Sequence, residues 1–228
     1  DIDYPNKSVC MFNDSTSFKI KRIQEPDTGS MAVVQIHVNE PDVLDSIFEF
    51  TLIYNGCETL DGYDSINTEV EWSGSYRTQS KDLHIQNNGV LTITDTVMLS
   101  PDADIIIERG GKLILDGGRL TRLCDDELWN GIQVWGDSAW SQYPLSNQGY
   151  LEINHGGIIE YAKAAVFVGK TETHDTLYAA SGGVIAAEDA LFLNNELDVE
   201  FLPFINQLNA AGPEIPNASR FRHCVFKT

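Results

Sequence analysis

Gly110-Gly111-Lys112-Leu113-Ile114-Leu115 is a tight glycine corner followed by a short aliphatic strand, and the chain repeats this phrase. It recurs at Asn88-Gly89-Val90-Leu91-Thr92-Ile93, Asn130-Gly131-Ile132-Gln133-Val134-Trp135, Gly156-Gly157-Ile158-Ile159-Glu160-Tyr161 and Gly182-Gly183-Val184-Ile185-Ala186-Ala187. The second residue of each corner is glycine, at 89, 111, 131, 157 and 183, in steps of 22, 20, 26 and 26 residues. A period in the twenties is short for a helical-pair repeat or a propeller blade. The L-x-x-L-x-L phrase of leucine-rich repeats is missing. More strands lie between the corners, at Asp104-Ile105-Ile106-Ile107-Glu108, Ala165-Val166-Phe167-Val168 and Ala190-Leu191-Phe192-Leu193, and helical periodicity is nearly absent.

Stacked coils explain this pattern. One coil of two or three short strands cannot bury its own apolar face. Stacking coils at about 4.8 Å per rung pairs every strand edge and makes a continuous core. The expected fold is all-β, a right-handed parallel β-helix. Gly89, Gly111, Gly131, Gly157 and Gly183 are expected to stack at one corner of successive coils. Asn194-Asn195 fits either a stacked amide ladder or a turn that tolerates Asn.

Residues 1–68 do not follow the repeat. Phe18-Lys19-Ile20, Val33-Val34-Gln35-Ile36-His37-Val38 and Phe48-Glu49-Phe50-Thr51-Leu52-Ile53-Tyr54 alternate as strands do, punctuated by Pro26, Gly29, Pro41 and Asn55-Gly56. The expected organisation is a small β-rich segment or cap over 1–68 and a solenoid over 69–228. The strand-like Arg220-Phe221-Arg222-His223-Cys224-Val225-Phe226 ends the chain with no polar cap after it, so a fragment of a longer protein is expected.

The net charge is −19, from 34 acidic and 15 basic side chains. Such a surface repels a phosphate backbone, which disfavours nucleic acid, anionic membranes and strongly anionic glycans. No run approaches the roughly 18 apolar residues of a membrane helix. Cys10, Cys57, Cys124 and Cys224 form no C-x-x-C pair. On regular coils Cys124 and Cys224 lie about four rungs, or ~19 Å, apart, too far for a bridge. Cys10 and Cys57 both fall in the non-repeating segment, so a Cys10–Cys57 disulfide is expected, with Cys124 and Cys224 reduced.

From about Val70 onward the chain resembles the large secreted or cell-surface β-helix proteins of Bacteroidetes. The resemblance is carried by Gly110-Gly111-Lys112-Leu113-Ile114-Leu115-Asp116-Gly117-Gly118-Arg119-Leu120-Thr121 and Leu128-Trp129-Asn130-Gly131-Ile132-Gln133-Val134-Trp135-Gly136, with Asn147-Gln148-Gly149-Tyr150-Leu151-Glu152-Ile153 and Val199-Glu200-Phe201-Leu202-Pro203. It implies export by the type IX route, an extracellular or cell-surface location, and no defined activity. The C-terminal sorting domain such proteins carry is not in this sequence. The same resemblance implies O-glycosylation at Asp-Ser/Thr phrases, here at Ser15, Ser46, Ser65, Thr96, Ser138 and Thr176.

Two function classes remain. Parallel β-helices host polysaccharide lyases and glycoside hydrolases, but that is fold analogy. No Arg-x-Lys triplet accompanies His155-Gly156, and Asp125-Asp126-Glu127 reads first as a solvated loop. The alternative is a non-enzymatic module whose loops make adhesive, partner or glycan contacts, with other surface proteins or glycans as partners. Trp140 and Tyr143 sit in the irregular stretch Asp137-Ser138-Ala139-Trp140-Ser141-Gln142-Tyr143-Pro144, where an aromatic ring can stack on a sugar or anchor a protein. Trp129 and Trp135 flank a repeat strand and read as core or coil-stacking residues. The five histidines show no metal-ligand spacing; Asp102 and Asp104 suggest calcium only faintly, and no cofactor is expected.

Overall fold

The computed structural model describes residues 31–38, 46–53, 57, 59–172, 175–208 and 212–227. The chain divides into two compact units, residues 1–56 and 57–228. In the first, β1 (Met31–Val38) and β2 (Ser46–Ile53) form an antiparallel pair.

The second unit is a parallel β-helix of six coils. The first holds β3 (Tyr63–Ile66), β4 (Glu69–Trp72) and β5 (Arg77–Gln79), and the second β6 (Asp82–Ile85), β7 (Val90–Ile93) and β8 (Thr96–Leu99). The third holds β9 (Asp104–Ile107), β10 (Lys112–Asp116) and β11 (Arg119–Arg122), and the fourth β12 (Trp129–Val134), β13 (Tyr150–Asn154) and β14 (Ile158–Glu160). The fifth holds β15 (Ala162–Val168), a hairpin of β16 (Lys170–Glu172) and β17 (Asp175–Leu177), then β18 (Val184–Glu188) and β19 (Leu191–Leu193). The sixth holds β20 (Leu197–Phe201), β21 (Arg220–Arg222) and β22 (Val225–Lys227). They form three six-stranded sheets: β3-β6-β9-β12-β15-β20 (the first sheet), β4-β7-β10-β13-β18-β21 (the second) and β5-β8-β11-β14-β19-β22 (the third). The first coil therefore starts at Tyr63, six residues before the boundary expected at 69.

Strand alternation sends one set of side chains inward, and parallel register stacks like on like. Leu91, Leu113, Leu151 and Ile185 make one such column in the second sheet, and Val97, Leu120, Ile159 and Phe192 another in the third. All eight are essentially inaccessible. Each such side chain contributes about 1.5–3 kcal/mol on burial, which is what holds coils this short together. The columns change character at the two ends. In the first coil Asp64 and Gln79 occupy inward register positions opposite Leu83 and Leu99, and Gln79 Nε2 donates to Asp64 Oδ2 at 2.9 Å. In the sixth coil Phe201, Phe221 and Phe226 continue the apolar columns, with Phe226 stacked on Phe192 at 4.8 Å.

The five repeat glycines do not share one corner. Gly89, Gly111, Gly149 and Gly183 form the corner that leads into the second sheet. A Cβ on each would lie 2.2, 2.2, 2.6 and 2.3 Å from the carbonyl oxygen of Ile66, Ile85, Ile107 and Val134, the last residue of the first-sheet strand in the coil before. Gly157 belongs with Gly118 at the next corner, and Gly131 lies inside β12. The phrase marks places where the chain presses on a neighbouring coil, the one before at Gly89, Gly111, Gly157 and Gly183 and the one after at Gly131, so all three sheets use it. The true steps at the first corner are 22, 38 and 34 residues. Long excursions at 135–149, 169–183 and 202–219 account for the variation, and all three leave the same corner, between the first and second sheets.

The cysteine pairing also differs from expectation. Cys57 is disulfide-bonded to Cys124, Cα to Cα 5.8 Å, and Cys224 is the free cysteine among the described residues. Cys10 lies outside the described residues. The chain ahead of β3 runs along the corner between the third and first sheets, where Leu60 N–H donates to Ser80 O at 2.6 Å. That path brings Cys57 to the β11–β12 turn, which holds Cys124, so the non-repeating part of the chain reaches a coil that sequence spacing placed out of range. Cys124 and Cys224 are not bridged, as the rung spacing required. Asn195 builds no amide ladder: it is buried singly, its Oδ1 accepting Ala162 N–H and its Nδ2 donating to Ile159 O and Asp198 Oδ1.

Candidate functional site

Buried amide side chains tie the three excursions into one layer. Gln148 folds the first loop onto itself: its Oε1 accepts Asp137 N–H at 2.7 Å and its Nε2 donates to Asp137 O and Trp140 O. Gln142, fully inaccessible, reaches the other two loops. Its Nε2 donates to Gly182 O at 3.1 Å, and its Oε1 accepts Ala218 N–H at 2.8 Å. Asn206 of the third loop answers, its Oδ1 accepting from Ser141 Oγ and Gln142 N–H and its Nδ2 donating to Pro216 O. Gly136 N–H and Ser138 N–H bond to Ala180 O and Ala179 O of the second loop. Beneath the layer Tyr150, Val184, Ala186 and Ala218 form a small apolar cluster, joined by Leu145. Buried polar groups satisfied this fully fix one loop arrangement. A cavity of about 270 Å³ opens beside Gln142, lined by Phe201, Leu202, Pro203 and Phe204.

Trp140 and Tyr143 project from this layer, 52% and 50% exposed, whereas Trp129 is wholly buried and Trp135 half-buried. Trp129 Nε1 donates to Glu160 O at 2.9 Å inside the coil stack. Arg109 lies 5.1 Å from the Trp140 ring centroid and is itself held by Asn147 O, at 2.8 Å from Nε, and by Asp137, at 3.0 Å. The indole is thus set in place before any ligand arrives. Tyr178, 63% exposed, stands on the second loop next to Ala179.

A second concentration of chemistry lies on the outer face of the first sheet. His84 Nδ1 is 2.7 Å from Glu108 Oε1; its ring is 4.4 Å from that of Tyr63 and edge-on to Trp135 at 6.0 Å. Lys170 Nζ sits 4.1 Å over the Trp135 ring. In the adjoining column Asp82 Oδ1 accepts Asp104 N–H, and Asp104 accepts from Asn130 Nδ2 at 3.0 Å and Gln133 Nε2 at 3.2 Å. Burial pushes the Asp104 carboxyl above its ordinary range and the Asp82 charge adds to this, while the two amides and Lys163 oppose it. Lys163 itself pairs with Asp102 and Asn130.

The corner between the second and third sheets carries exposed acid–imidazole pairs, His155 with Asp116 and His223 with Asp189. The hydrogen bond that His155 Nδ1 makes to the Asp116 carboxylate, then that carboxylate's charge and those of Asp189 and Glu188, raise the imidazole above its ordinary value. On the second sheet, burial acts to raise the Glu152 carboxyl, but bonds from Lys112 and Asn154 and the charges of Lys112 and Arg220 outweigh it and hold it low.

Among the other residues singled out from sequence, Ser65 and Ser138 are exposed and Thr96 is half-buried. Ser15 lies outside the described residues, as do the side chains of Ser46 and Thr176. Asp125, Asp126 and Glu127 are exposed in the β11–β12 turn. Among the described residues no group of three or more His, Cys, Asp or Glu is placed to hold a metal ion, and no helix is long and apolar enough to cross a membrane. Sequence reasoning missed Gln142, Gln148 and Asn206, whose roles depend on partners up to 76 residues away. It also missed Tyr63, His84 and Glu108: Tyr63 pairs with Asp82 and His84 with Ile106, so the three meet as diagonal neighbours that the coil length alone does not align. No protein family, curated protein or solved structure matches the chain.

Proposed function

We propose that the chain is a non-enzymatic binding module of a secreted or surface protein, a rigid β-helix that presents its loop layer to glycans or to other surface proteins. The carrying observation is the indole of Trp140, half-exposed yet pinned from behind by an arginine that is itself tied down. Ordering an aromatic ring in advance removes part of the entropy cost of binding, and hydrophobic folding alone does not call for such an exposed ring. Tyr143 on the same loop widens the surface. The disulfide supports an oxidising compartment, and the net charge of −19 argues against nucleic acid and polyanionic partners. O-glycosylation at exposed Ser65 or Ser138 belongs to the same reading and is checked by intact mass of protein purified from its native host.

A carbohydrate-active enzyme is the second reading, favoured by the Asp82–Asp104 pair with Lys163 nearby and the raised Asp104 carboxyl. The deciding experiment compares capture of glycans and surface proteins by the wild-type chain and by Trp140→Ala/Tyr143→Ala. Loss of capture by a folded double variant supports the loop layer. Undiminished capture removes it.

A further inference from the structure

We infer that the outer face of the first sheet, over its first two coils, is a separate binding face for a neutral saccharide. The inference rests on the reading of the chain as a ligand-binding module, but at a face distinct from the loop layer. Two columns of outward side chains run up this face. One is Tyr63, Asp82 and Asp104, each one coil above the last, followed by Gly131 in β12. The other contains His84, flanked by Glu108, with Trp135 beyond.

The composition is unlike that of a solvated sheet face. Tyr63 is 57% exposed, and with one side of its ring set against His84 the other can take the C–H face of a sugar. Glu108 orients His84 through Nδ1, which leaves Nε2 directed elsewhere as a hydrogen-bonding group. Asp82 lies beside Tyr63 in register, and its carboxylate supplies an acceptor for a sugar hydroxyl next to the ring. Ile106 and Gln133, which follow His84 in its column, are buried, so the open part of the face is confined to Tyr63, Asp82 and His84 on the first two coils, about the span of one sugar ring.

Charge selects the ligand. The carboxylates of Asp82, Asp104 and Glu108, on a chain of net charge −19, repel uronic acids and sulfated sugars. Lys163 is paired with Asp102 and Asn130, so its charge is already directed to those partners. A hydroxyl-rich ligand without acidic groups satisfies the acceptors and the aromatic ring together.

The test is calorimetric titration of the full chain with neutral gluco-, manno- and galacto-oligosaccharides and with oligogalacturonate. Tyr63→Ala, Tyr63→Phe and Trp140→Ala variants are compared after their melting curves have been matched to wild type. At least one neutral oligosaccharide is expected to bind, with Tyr63→Ala weakening it about tenfold, Tyr63→Phe retaining it, and no oligogalacturonate binding. Absence of neutral-saccharide binding, binding indifferent to Tyr63→Ala, or a preference for oligogalacturonate overturns the inference. Binding lost in Trp140→Ala but kept in Tyr63→Ala also overturns it and assigns the saccharide to the loop layer instead.

Discussion

Cys57 and Cys124 stand 67 residues apart in sequence, yet their α-carbons are 5.8 Å apart and a disulfide joins them. The bond ties the lead-in to the first coil onto the turn that opens the fourth. Closing a loop of that length is worth about 4 kcal/mol in unfolded-state entropy. Non-reducing peptide mapping should recover a linked Cys57–Cys124 peptide with Cys224 unlinked. The Cys57→Ser/Cys124→Ser double variant should lose stability on that scale in denaturant unfolding; an undiminished midpoint would contradict the pairing.

Gly131 and Gly156 separate close packing from backbone strain. A Cβ on Gly131 would fall 1.6 Å from Ala164 O, on the neighbouring strand β15, at φ +124°. A Cβ on Gly156, at φ +78°, meets nothing within 4 Å. Gly156→Ala should cost about 1 kcal/mol from its left-handed backbone alone. Gly131→Ala should cost about 3 kcal/mol or more, because β12 and β15 must part. Equal losses in urea unfolding would contradict the register of these strands.

Gln142 holds the loop layer rather than the coils. Gln142→Ala leaves Gly182 O and Ala218 N–H without their partner, a cost of about 3 kcal/mol at most sites of this kind. The effect should be local. Limited proteolysis is expected to cut within 136–148 or 169–183 while the coil core stays resistant. Cleavage of the core at the same rate would show that loops and coils unfold together.

The two perturbed groups on the coil corners and faces act in opposite directions with pH. The His155 imidazole, raised from an ordinary 6.5 by Asp116, favours the folded state fully below that value. Its contribution is lost as pH climbs through the raised value. Glu152 is lowered from an ordinary 4.5, so its contribution is present above 4.5 and lost as pH falls through the lowered value. NMR titration should place His155 above 6.5 and return it toward 6.5 in Asp116→Asn. An unchanged titration in that variant would remove the pair.

Much of the coil architecture was legible because strand alternation and glycine corners are local signals. Leu113-Ile114-Leu115 announces a strand whatever lies around it, and Gly111 announces the contact with Ile85 O. Which corner each glycine occupies was not legible, because excursions of differing length separate Gly111 from Gly149 and Gly149 from Gly183. Trp140 and Tyr143 were readable as exposed from the polar stretch around them. Arg109, the residue that fixes Trp140, was not, since it lies one coil earlier and 31 positions away. Cys57–Cys124 escaped for the same reason: the path of the lead-in segment is a tertiary property, invisible to a repeat count.

The central claim is that the chain binds without cleaving. It is tested most directly by incubating it with neutral and acidic polysaccharides and measuring new reducing ends and unsaturated products, alongside retention of the same polysaccharides on immobilised protein. The account predicts that a retained glycan is recovered at full length, with retention reduced in Trp140→Ala/Tyr143→Ala or Tyr63→Ala. Shortened products that disappear in Asp104→Asn would contradict it and make the outer face of the first sheet a catalytic site.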